Sequence, residues 1–206
     1  MSSIATAVTA VDAANPGADA LAHAATILRN GGLVAFPTET FYGLGASATD
    51  AGAVRRVAHV KHRDEAKPLL VLVDSMTMAE SLATDVTPRA RQLMLRHWPG
   101  ALTLVLRARA DLPRELTAGT GTIGVRLSPH PIARGLVSAL GAPVTAPSAN
   151  LEGAAPPSTA AGVLRVFAGT IDLVLDGGPT PGGLPSSVVD VTGPTPRVLR
   201  HGAVSI

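Results

Sequence analysis

The sequence of 206 residues contains no cysteine. Disulfide bonds, thiolate nucleophiles and cysteine-ligated metal sites are therefore excluded. Its six histidines include no H-x-x-x-H pair, and the G-x-S-x-G turn that presents the nucleophile of many hydrolases does not occur in the sequence. These absences leave hydrolase and histidine-metal functions without the residues that they need.

Aromatic residues make up only 2% of the chain. Proteins that bind single-stranded nucleic acid stack its bases on exposed aromatic side chains, and this sequence has few to offer. Its 17 basic and 15 acidic residues give a formal net charge of +2, so bulk charge does not imply nucleic-acid binding either. An apolar content of 46% with 16% charged residues excludes a disordered chain and predicts a core of Ala, Val and Leu.

Long apolar runs are also missing from the sequence. No segment reaches the apolar length that a bilayer-spanning helix needs, and residues 1–17 lack the basic region and apolar block of a signal peptide. We therefore expect a cytoplasmic protein without membrane association.

Apolar runs alternate with segments of helical period along the chain. Strands are predicted over residues 33–36, 69–73, 102–106, 122–127, 143–146, 171–175, 186–191 and 197–200. Helices are predicted over residues 16–29, 51–60, 76–83, 88–97, 131–140 and 159–167, with Asp50, Thr87 and Ser158 as N-caps. The pattern predicts one α/β domain over residues 1–206, with its core in about 15–202 and a twisted, mixed parallel and antiparallel sheet flanked by helices.

Polar clusters follow two of the predicted strands. Thr38 lies just past the strand over residues 33–36, and the segment PSAN at 147–150 follows the strand over 143–146. Ligands bind outside the carboxyl ends of strands in open α/β sheets, so we expect a site there, although Ser and Asn are also common turn residues. The Gly- and Pro-rich segment 176–185 is either a mobile cover over that site or a long turn.

Three cations follow the helix that Asp50 caps. If the chain is extended after this helix, Lys61 and Arg63 point the same way and can bind neighbouring oxygens of one polyphosphate. Neither the G-x-x-x-x-G-K-[ST] nor the G-x-G-x-x-G motif is present at Lys61 or Lys67, so phosphates would be held by side chains, turn amides and a metal. The alternative is a solvated helix end, which is the usual role of a surface charge cluster.

An arginine interrupts the apolar strand predicted over residues 122–127. Alternation sends Thr122, Gly124 and Arg126 to one face of this strand and its apolar residues to the other. An unpaired arginine is costly in such a position, so Arg126 must reach a carboxylate, either of the protein or of a substrate.

Six motifs occur in an order and spacing that resemble those of a known family. They are PTETFYGLG, KHRDEAKPL, HWPGALTLVL, TIGVRLSPHP, APSANLEG and SSVVDV. Over roughly residues 20–202 the chain resembles the YrdC/TsaC family, the threonylcarbamoyl-AMP synthases. The resemblance implies a single-domain α/β fold around a large, positively charged cavity.

The resemblance also implies a reaction, that of a nucleotidyltransferase. The family joins L-threonine, bicarbonate and ATP into threonylcarbamoyl-adenylate and pyrophosphate, with Mg²⁺. Proteins of a downstream transferase complex then pass the threonylcarbamoyl group to the adenosine beside the anticodon of tRNAs that read ANN codons, which forms the t6A modification.

Individual site residues follow from the matched motifs. The residues that the resemblance assigns to the nucleotide are Lys61, Arg63, Lys67, Thr122, Ser148, Asn150 and Arg200, with Lys61 and Arg63 on the phosphates as the catalytic pair. The residues that it assigns to threonine are Thr38, Arg126 and Ser187, with Arg126 on the carboxylate. Fixed cations and Mg²⁺ suit this reaction better than a protein nucleophile does, and Glu39 is the one candidate general base.

One departure from the family and two rival functions remain open. Leu72 stands where some members have a histidine, which puts that contact to threonine in doubt. The first rival is a module that holds tRNA or double-stranded RNA in a basic cavity without catalysis. The second is a carbamoyl-transfer domain of the kind found in hydrogenase maturation proteins, against which the missing cysteines argue.

Overall fold

A computed structural model describes residues 5–64 and 66–206 of the chain. Its strands are β1 (Ala7–Ala10), β2 (Val34–Pro37), β3 (Tyr42–Gly45), β4 (Leu70–Val73), β5 (Ala83–Asp85), β6 (Leu102–Ala108), β7 (Thr122–Leu127), β8 (Val144–Thr145), β9 (Leu173–Asp176), β10 (Ser187–Asp190) and β11 (Arg197–Arg200). Its helices are α1 (Ala18–Arg29), α2 (Ala51–Val60), α3 (Met76–Ser81), α4 (Pro88–His97), α5 (Arg114–Thr117), α6 (Pro131–Leu140) and α7 (Ala160–Phe167).

The strands form mixed parallel and antiparallel sheets, which confirms the predicted fold class. Strands β1, β9 and β2 are parallel to one another, and β3 completes this four-stranded sheet by pairing antiparallel to β2. The seven-stranded sheet has the order β11-β10-β6-β7-β4-β8, with β5 paired to β6. It combines the parallel pairs β10–β6 and β4–β7 with antiparallel pairs at the other positions.

The two sheets meet where β3 approaches β8. The hydroxyl of Thr145 in β8 accepts a hydrogen bond from the Ala46 amide at 2.9 Å and donates one to the Leu44 carbonyl at 3.1 Å. Thr145 is fully buried, and its own amide donates to the Ala46 carbonyl at 2.9 Å. The one sheet expected from the sequence is therefore divided into two, and Thr145 joins them at their seam.

Local signals predicted most helices closely. Asp50 caps α2 and Thr87 caps α4 through side-chain hydrogen bonds to amides of the first turn, as expected. The helix predicted from Pro16 begins instead at Ala18, where no side chain caps it among the described residues. The cap predicted at Ser158 belongs to Thr159, whose hydroxyl accepts from the Gly162 amide at 3.1 Å.

Three strands and one helix were absent from the prediction, namely β1, β3, β5 and α5. Strand β3 has the sequence YGLG, which is typical of a turn rather than of a strand. Packing requires glycine at position 45, because a Cβ there would lie 2.8 Å from the Phe36 ring and 2.9 Å from the Val144 side chain. The predicted helix over 76–83 ends at Ser81, and its last residues enter β5.

The helices cover the sheets with apolar stripes that the sequence predicted. Leu21, Ala24, Ala25 and Leu28 of α1 are buried. Within residues 5–64 and 66–206, no helix is long and apolar enough to cross a membrane.

We predict that Thr145→Val destabilises the fold by about 1–3 kcal/mol, because it leaves the buried Ala46 amide without an acceptor while keeping the side-chain shape. Urea unfolding followed by circular dichroism measures this loss. The matched control is Thr26→Val, whose exposed hydroxyl bonds within α1 and whose cost should stay within about 0.5 kcal/mol. Equal stabilities of the two variants would contradict the bridging role of Thr145.

Candidate functional site

A cavity of about 470 Å³ lies beside the seam between the two sheets. Strands β3, β6 and β7, the segment after β8 and the start of β10 all contribute to its wall. The predicted site residues that line it are Thr38, Lys61, Arg63, Thr122, Arg126, Ser148, Asn150 and Arg200. Lys67 and Ser187 are the predicted residues that the described lining does not include.

The chain between Lys61 and Arg63 is not extended, contrary to the prediction. Lys61 has helical backbone angles at the end of α2, and His62 has a φ of +49°, in the left-handed region. The amide of Arg63 donates back to the Ala58 carbonyl at 2.9 Å. A tight turn therefore replaces the extended segment, and this turn brings both cations to the same cavity.

Lys61 is a buried cation held by main-chain carbonyl groups. Its side chain is only 3% exposed, and its Nζ donates to the carbonyl oxygens of Ser148 and Asn150. Burial lowers the pKa of Lys61 to about 8, and the nearby charge of Arg63 adds to this effect while Glu152 opposes it. The residues of the PSAN segment thus position Lys61 through their backbone carbonyl groups rather than through their side chains.

Arg63 and Asn150 both line the cavity, and each has one buried polar atom without a hydrogen-bond partner in the described chain. One guanidinium nitrogen of Arg63 donates to the Pro68 carbonyl at 3.1 Å, and burial lowers the pKa of Arg63 against the opposing charges of Glu152 and Asp64. The amide nitrogen of Asn150 donates to the Ala154 carbonyl at 2.8 Å. Within the described chain, Nε of Arg63 and Oδ1 of Asn150 are buried without a hydrogen-bond partner. Such groups are rare in folded proteins and suggest a missing ligand.

Arg126 meets a protein carboxylate, which is one of the two alternatives that the sequence left open. Its guanidinium lies 3.3 Å from Oε1 of Glu39 and 3.5 Å from the Thr40 hydroxyl. Ser128 donates to the other oxygen of Glu39 and so holds this carboxylate behind the arginine. Burial lowers the pKa of Arg126, and Glu39 opposes the shift.

Arg126 nevertheless keeps capacity for a ligand. It is 3% exposed yet lines the cavity, and in residues 5–64 and 66–206 its Nε has no hydrogen-bond partner. Glu39 itself does not belong to the described lining. Its position suits support of Arg126 rather than contact with a substrate, so the structure offers no geometry for Glu39 as a general base.

The two threonines predicted for the site both line the cavity. Thr38 follows strand β2 directly, and its hydroxyl donates to the Phe41 carbonyl at 2.7 Å, which closes the turn into β3. Thr122 begins β7, and its hydroxyl shares a hydrogen bond of 2.9 Å with Thr120. Gly124 and Arg126 line the cavity on the same face of β7, as the alternation predicted.

Lys67 lies beside the cavity rather than in its wall. Its Nζ forms an ion pair with Glu152, whose carboxylate also accepts from the Asp64 amide at 3.1 Å. The hydrogen bond to Lys67 lowers the pKa of Glu152. Among the described residues Glu152 is the one carboxylate of the lining.

The described cavity lining includes Ser186 rather than the predicted Ser187. Ser187 is 1% exposed, and its hydroxyl bonds to the turn near residue 204. Ser186 lines the cavity and shares a hydrogen bond of 2.9 Å with Thr103, a lining residue that the sequence analysis missed. Two adjacent serines begin this strand, and neighbouring residues of a strand face opposite sides, so an error of one residue exchanges them.

Arg200 completes the cationic wall from the opposite side of the cavity. Its Nε donates to the Ser186 carbonyl at 3.0 Å and its terminal nitrogen to the Ser186 hydroxyl at 3.0 Å. Partial burial lowers the pKa of Arg200, and the charge of Arg126 lowers it further. An anion bound near both arginines would relieve this repulsion.

The histidine found in some family members has no counterpart among the described lining residues. Leu72 occupies that position, is 1% exposed and packs in a core cluster with Phe36 and Ile132. In register, Leu72 lies opposite Arg126 on the neighbouring strand.

Asp176 of the segment 176–185 ends β9, and the rest of the segment has no regular structure and contacts β3 and the β2–β3 turn. Tyr42 donates to the Gly178 carbonyl at 2.8 Å, and the Gly182 amide donates to the Thr40 carbonyl at 2.9 Å. Burial raises the pKa of Tyr42 to about 12, with a further contribution from Asp176. Of the two alternatives for this segment, these contacts favour a long, anchored turn.

The sequence of the chain is similar to those of known proteins. The Sua5/YciO/YrdC family model, described as telomere recombination, matches residues 26–202. The threonylcarbamoyl-AMP synthase of Pyrococcus abyssi is 43% identical over 183 residues, which cover 89% of this chain and 54% of that protein. The threonylcarbamoyl-AMP synthase of Bacillus subtilis is 41% identical over 186 residues, which cover 90% of this chain and 54% of that protein.

A solved structure agrees with these sequence matches. The chain resembles Pyrococcus abyssi Sua5 complexed with L-threonine at a TM-score of 0.92 and 41% identity, over 96% of this chain and 58% of that chain. The chain spans about half the length of the curated relatives named here.

We predict that Lys61 makes stability depend on pH above neutrality. The folded chain releases its Lys61 proton near pH 8, and the unfolded chain keeps it up to about 10.5. The unfolded state binds more protons in this interval, so stability should rise with pH there. Relative to Lys61→Met, the free energy of unfolding of the unaltered chain should increase from pH 8 to 10.5 with a slope of up to about 1.4 kcal/mol per pH unit. If the free energies of unfolding of the two proteins, measured in urea, had the same dependence on pH, Lys61 would not release its proton on folding in this range.

Proposed function

Because the chain belongs to the Sua5/YciO/YrdC family, we propose that it is a threonylcarbamoyl-AMP synthase, which makes threonylcarbamoyl-AMP and pyrophosphate from L-threonine, bicarbonate and ATP. One observation carries the proposal most strongly. Lys61, Arg63, Arg126 and Arg200 come from three separate segments, the turn after α2, β7 and β11, and meet in one cavity whose described lining has a single carboxylate. Such a wall suits the anionic groups of these substrates, which are the triphosphate, bicarbonate and the threonine carboxylate.

The nucleotide half of the proposed site is the side formed by α2, the PSAN segment and β11. We assign Lys61 and Arg63 to the phosphates, because Arg63 keeps a buried nitrogen without a partner in the described chain. Ser148 and Asn150 would contact the nucleotide through side chains, since their carbonyl groups already bind Lys61. Thr122 and Arg200 complete this half. Lys67 is left out of it because its ammonium group pairs with Glu152.

The threonine half of the proposed site centres on Arg126. A buried guanidinium recognises an amino-acid carboxylate well, because its planar fork can donate two parallel hydrogen bonds in a dry environment. Glu39 and Thr40 hold one side of the guanidinium, so its orientation is set before threonine arrives. Thr38 lines the same region, and Ser186 takes over the contact first assigned to Ser187.

The proposed chemistry needs positioned anions more than a protein nucleophile. The threonine amine attacks CO₂ derived from bicarbonate and loses a proton, which forms a carbamate. A carbamate oxygen then attacks the α-phosphorus of ATP, the bond to the bridging oxygen breaks, and pyrophosphate leaves with the electron pair. The buried cations hold carbamate and triphosphate side by side and stabilise the charge that develops on the leaving group.

Mg²⁺ is part of the proposal through the nucleotide. The described residues contain no cluster of three acidic or histidine side chains that could hold a metal ion by itself. Magnesium commonly binds substrate phosphates with one or two carboxylates, and Glu152 is the lining carboxylate that fits this role. When bound, the ion would neutralise charge on the phosphates.

The setting of the reaction follows from its substrates. We propose that the product passes to a t6A transferase complex that acts on tRNA, and we expect the reaction to take place in the cytoplasm, where ATP, threonine and tRNA are available. We further propose that the chain acts as one YrdC-like domain. In support of this, β1 lies before the expected core and pairs with β9 in the four-stranded sheet.

We predict that the purified chain releases pyrophosphate from Mg-ATP only when L-threonine and bicarbonate are both present. A coupled pyrophosphate assay with each substrate left out in turn measures this dependence. Release that ignores threonine, or no release at all, would rule out the synthase. A salt-steep affinity for RNA without turnover would then favour the RNA-binding module, and turnover of carbamoyl phosphate would favour carbamoyl transfer.

We predict that Lys61→Ala and Arg63→Ala each lower turnover by about a hundredfold or more, because each removes a fixed charge from the developing pyrophosphate. Steady-state pyrophosphate release, with circular dichroism to verify folding, measures the effect. Arg91→Ala is the control, since Arg91 pairs with Glu80 on an exposed surface and does not belong to the described lining. Normal turnover in both cavity variants would remove the phosphate role from these residues.

A further inference from the structure

The hydroxyl of Ser187 is fully engaged by the backbone of a turn at residues 202–204. It donates to the Val204 carbonyl at 2.5 Å and accepts from the amides of Gly202 and Val204, each at 3.1 Å. A serine hydroxyl has one donor and two acceptor positions, so all three are occupied. Ser187 therefore has nothing left for a substrate, and its contacts must have another role.

The turn at 202–204 is clamped onto the segment that contains Ser186. The Ala203 amide donates to the Pro185 carbonyl at 2.9 Å. A Cβ at Gly202 would lie 2.2 Å from the Pro185 carbonyl oxygen and 2.6 Å from the Ser187 nitrogen. The turn can approach this closely only because residue 202 is glycine.

Arg200 lies two residues before this turn, at the end of the exposed edge strand β11. Strand β11 is an edge strand that pairs with β10 alone in the described sheet, and all four of its residues are exposed. The register of the β10–β11 pair shifts between Val188 and Val189 of β10. Arg200 pairs with Val188 and so lies on the far side of this irregularity from the rest of β11. Such irregularities redirect side chains and weaken the ladder at an edge.

We propose that Ser187 is a positioning residue, which fixes Arg200 in the cavity by holding the 202–204 turn against β10. The inference rests on the proposed function, in which Arg200 contacts the nucleotide. Ser187 anchors the chain after Arg200, and Ser186 binds the guanidinium directly through its carbonyl and hydroxyl groups. Both serines therefore orient Arg200: Ser187 through the turn at 202–204, and Ser186 by direct contact with the guanidinium in the cavity. A preorganised arginine binds its ligand without the entropy cost of being ordered.

The test is a double-mutant cycle on ATP binding by the full chain, measured by isothermal titration calorimetry. Ser187→Ala should weaken ATP binding about tenfold, as expected when a charged contact loses its alignment. Arg200→Ala should weaken it at least as much. In the Arg200→Ala background, Ser187→Ala should change the dissociation constant by less than about twofold, since a positioning residue has no effect once its arginine is gone.

A second variant reaches the same turn without touching Ser187. Gly202→Ala should push the turn off the Pro185 carbonyl and weaken ATP binding to a similar extent. Thr6→Val is the matched control, because its hydroxyl also joins two backbone groups, the Ile171 carbonyl and the Gly169 amide, away from the cavity. Thermal unfolding of all variants separates loss of stability from loss of positioning, and Thr6→Val should bind ATP normally.

The outcomes separate this inference from the proposed function. Additive losses in the cycle, or normal ATP binding by Ser187→Ala and Gly202→Ala, would overturn the positioning role. An unaltered chain that fails to bind ATP would overturn both the nucleotide site and this inference. The chain could also bind ATP and show non-additive effects of Ser187→Ala and Arg200→Ala, yet release no pyrophosphate. That result would support the positioning role and contradict the proposed synthase function.

Discussion

Four cations share one cavity, and the structure must hold them together without neutralising them. Like charges repel at close range, and burial removes the water that would screen them. Lys61, Arg63 and Arg200 bind main-chain carbonyl oxygens, which orient a cation but leave its full charge in place. Arg126 meets Glu39 and still keeps a nitrogen without a partner in the described chain. The cavity therefore favours an anionic ligand, whose binding relieves the repulsion.

The seam between the two sheets makes this arrangement possible. Strand β3 can approach β8 because Gly45 leaves room for the Phe36 ring and the Val144 side chain, and the Thr145 hydroxyl of β8 then bonds to the backbone of Leu44 and Ala46. The segment after β8 continues from this seam into the carbonyl groups that hold Lys61. Packing at the seam and charge in the cavity are thus connected through a few residues of backbone.

Several residues that do not line the cavity orient the arginine side chains that do. Glu39 sets Arg126, and Ser128 in turn holds Glu39. Ser186 binds Arg200 directly, while Ser187 fastens the turn that follows it. A cavity lined by long cationic side chains depends on such support, because these side chains otherwise sample many rotamers.

Local patterns in the sequence determined those helices and strands that depend on residues close to one another in the chain. The bounds of α4 and α6 follow from their caps and helical period, and alternation put Thr122 and Arg126 on one face of β7. The family motifs identified most of the cavity wall. Only the tertiary structure decided that β3 is a strand, that Lys61 and Arg63 meet through a left-handed turn, and that Ser186 rather than Ser187 faces the cavity. These features depend on contacts between distant segments, and a strand register that differs by one residue reverses every side chain without changing the local pattern.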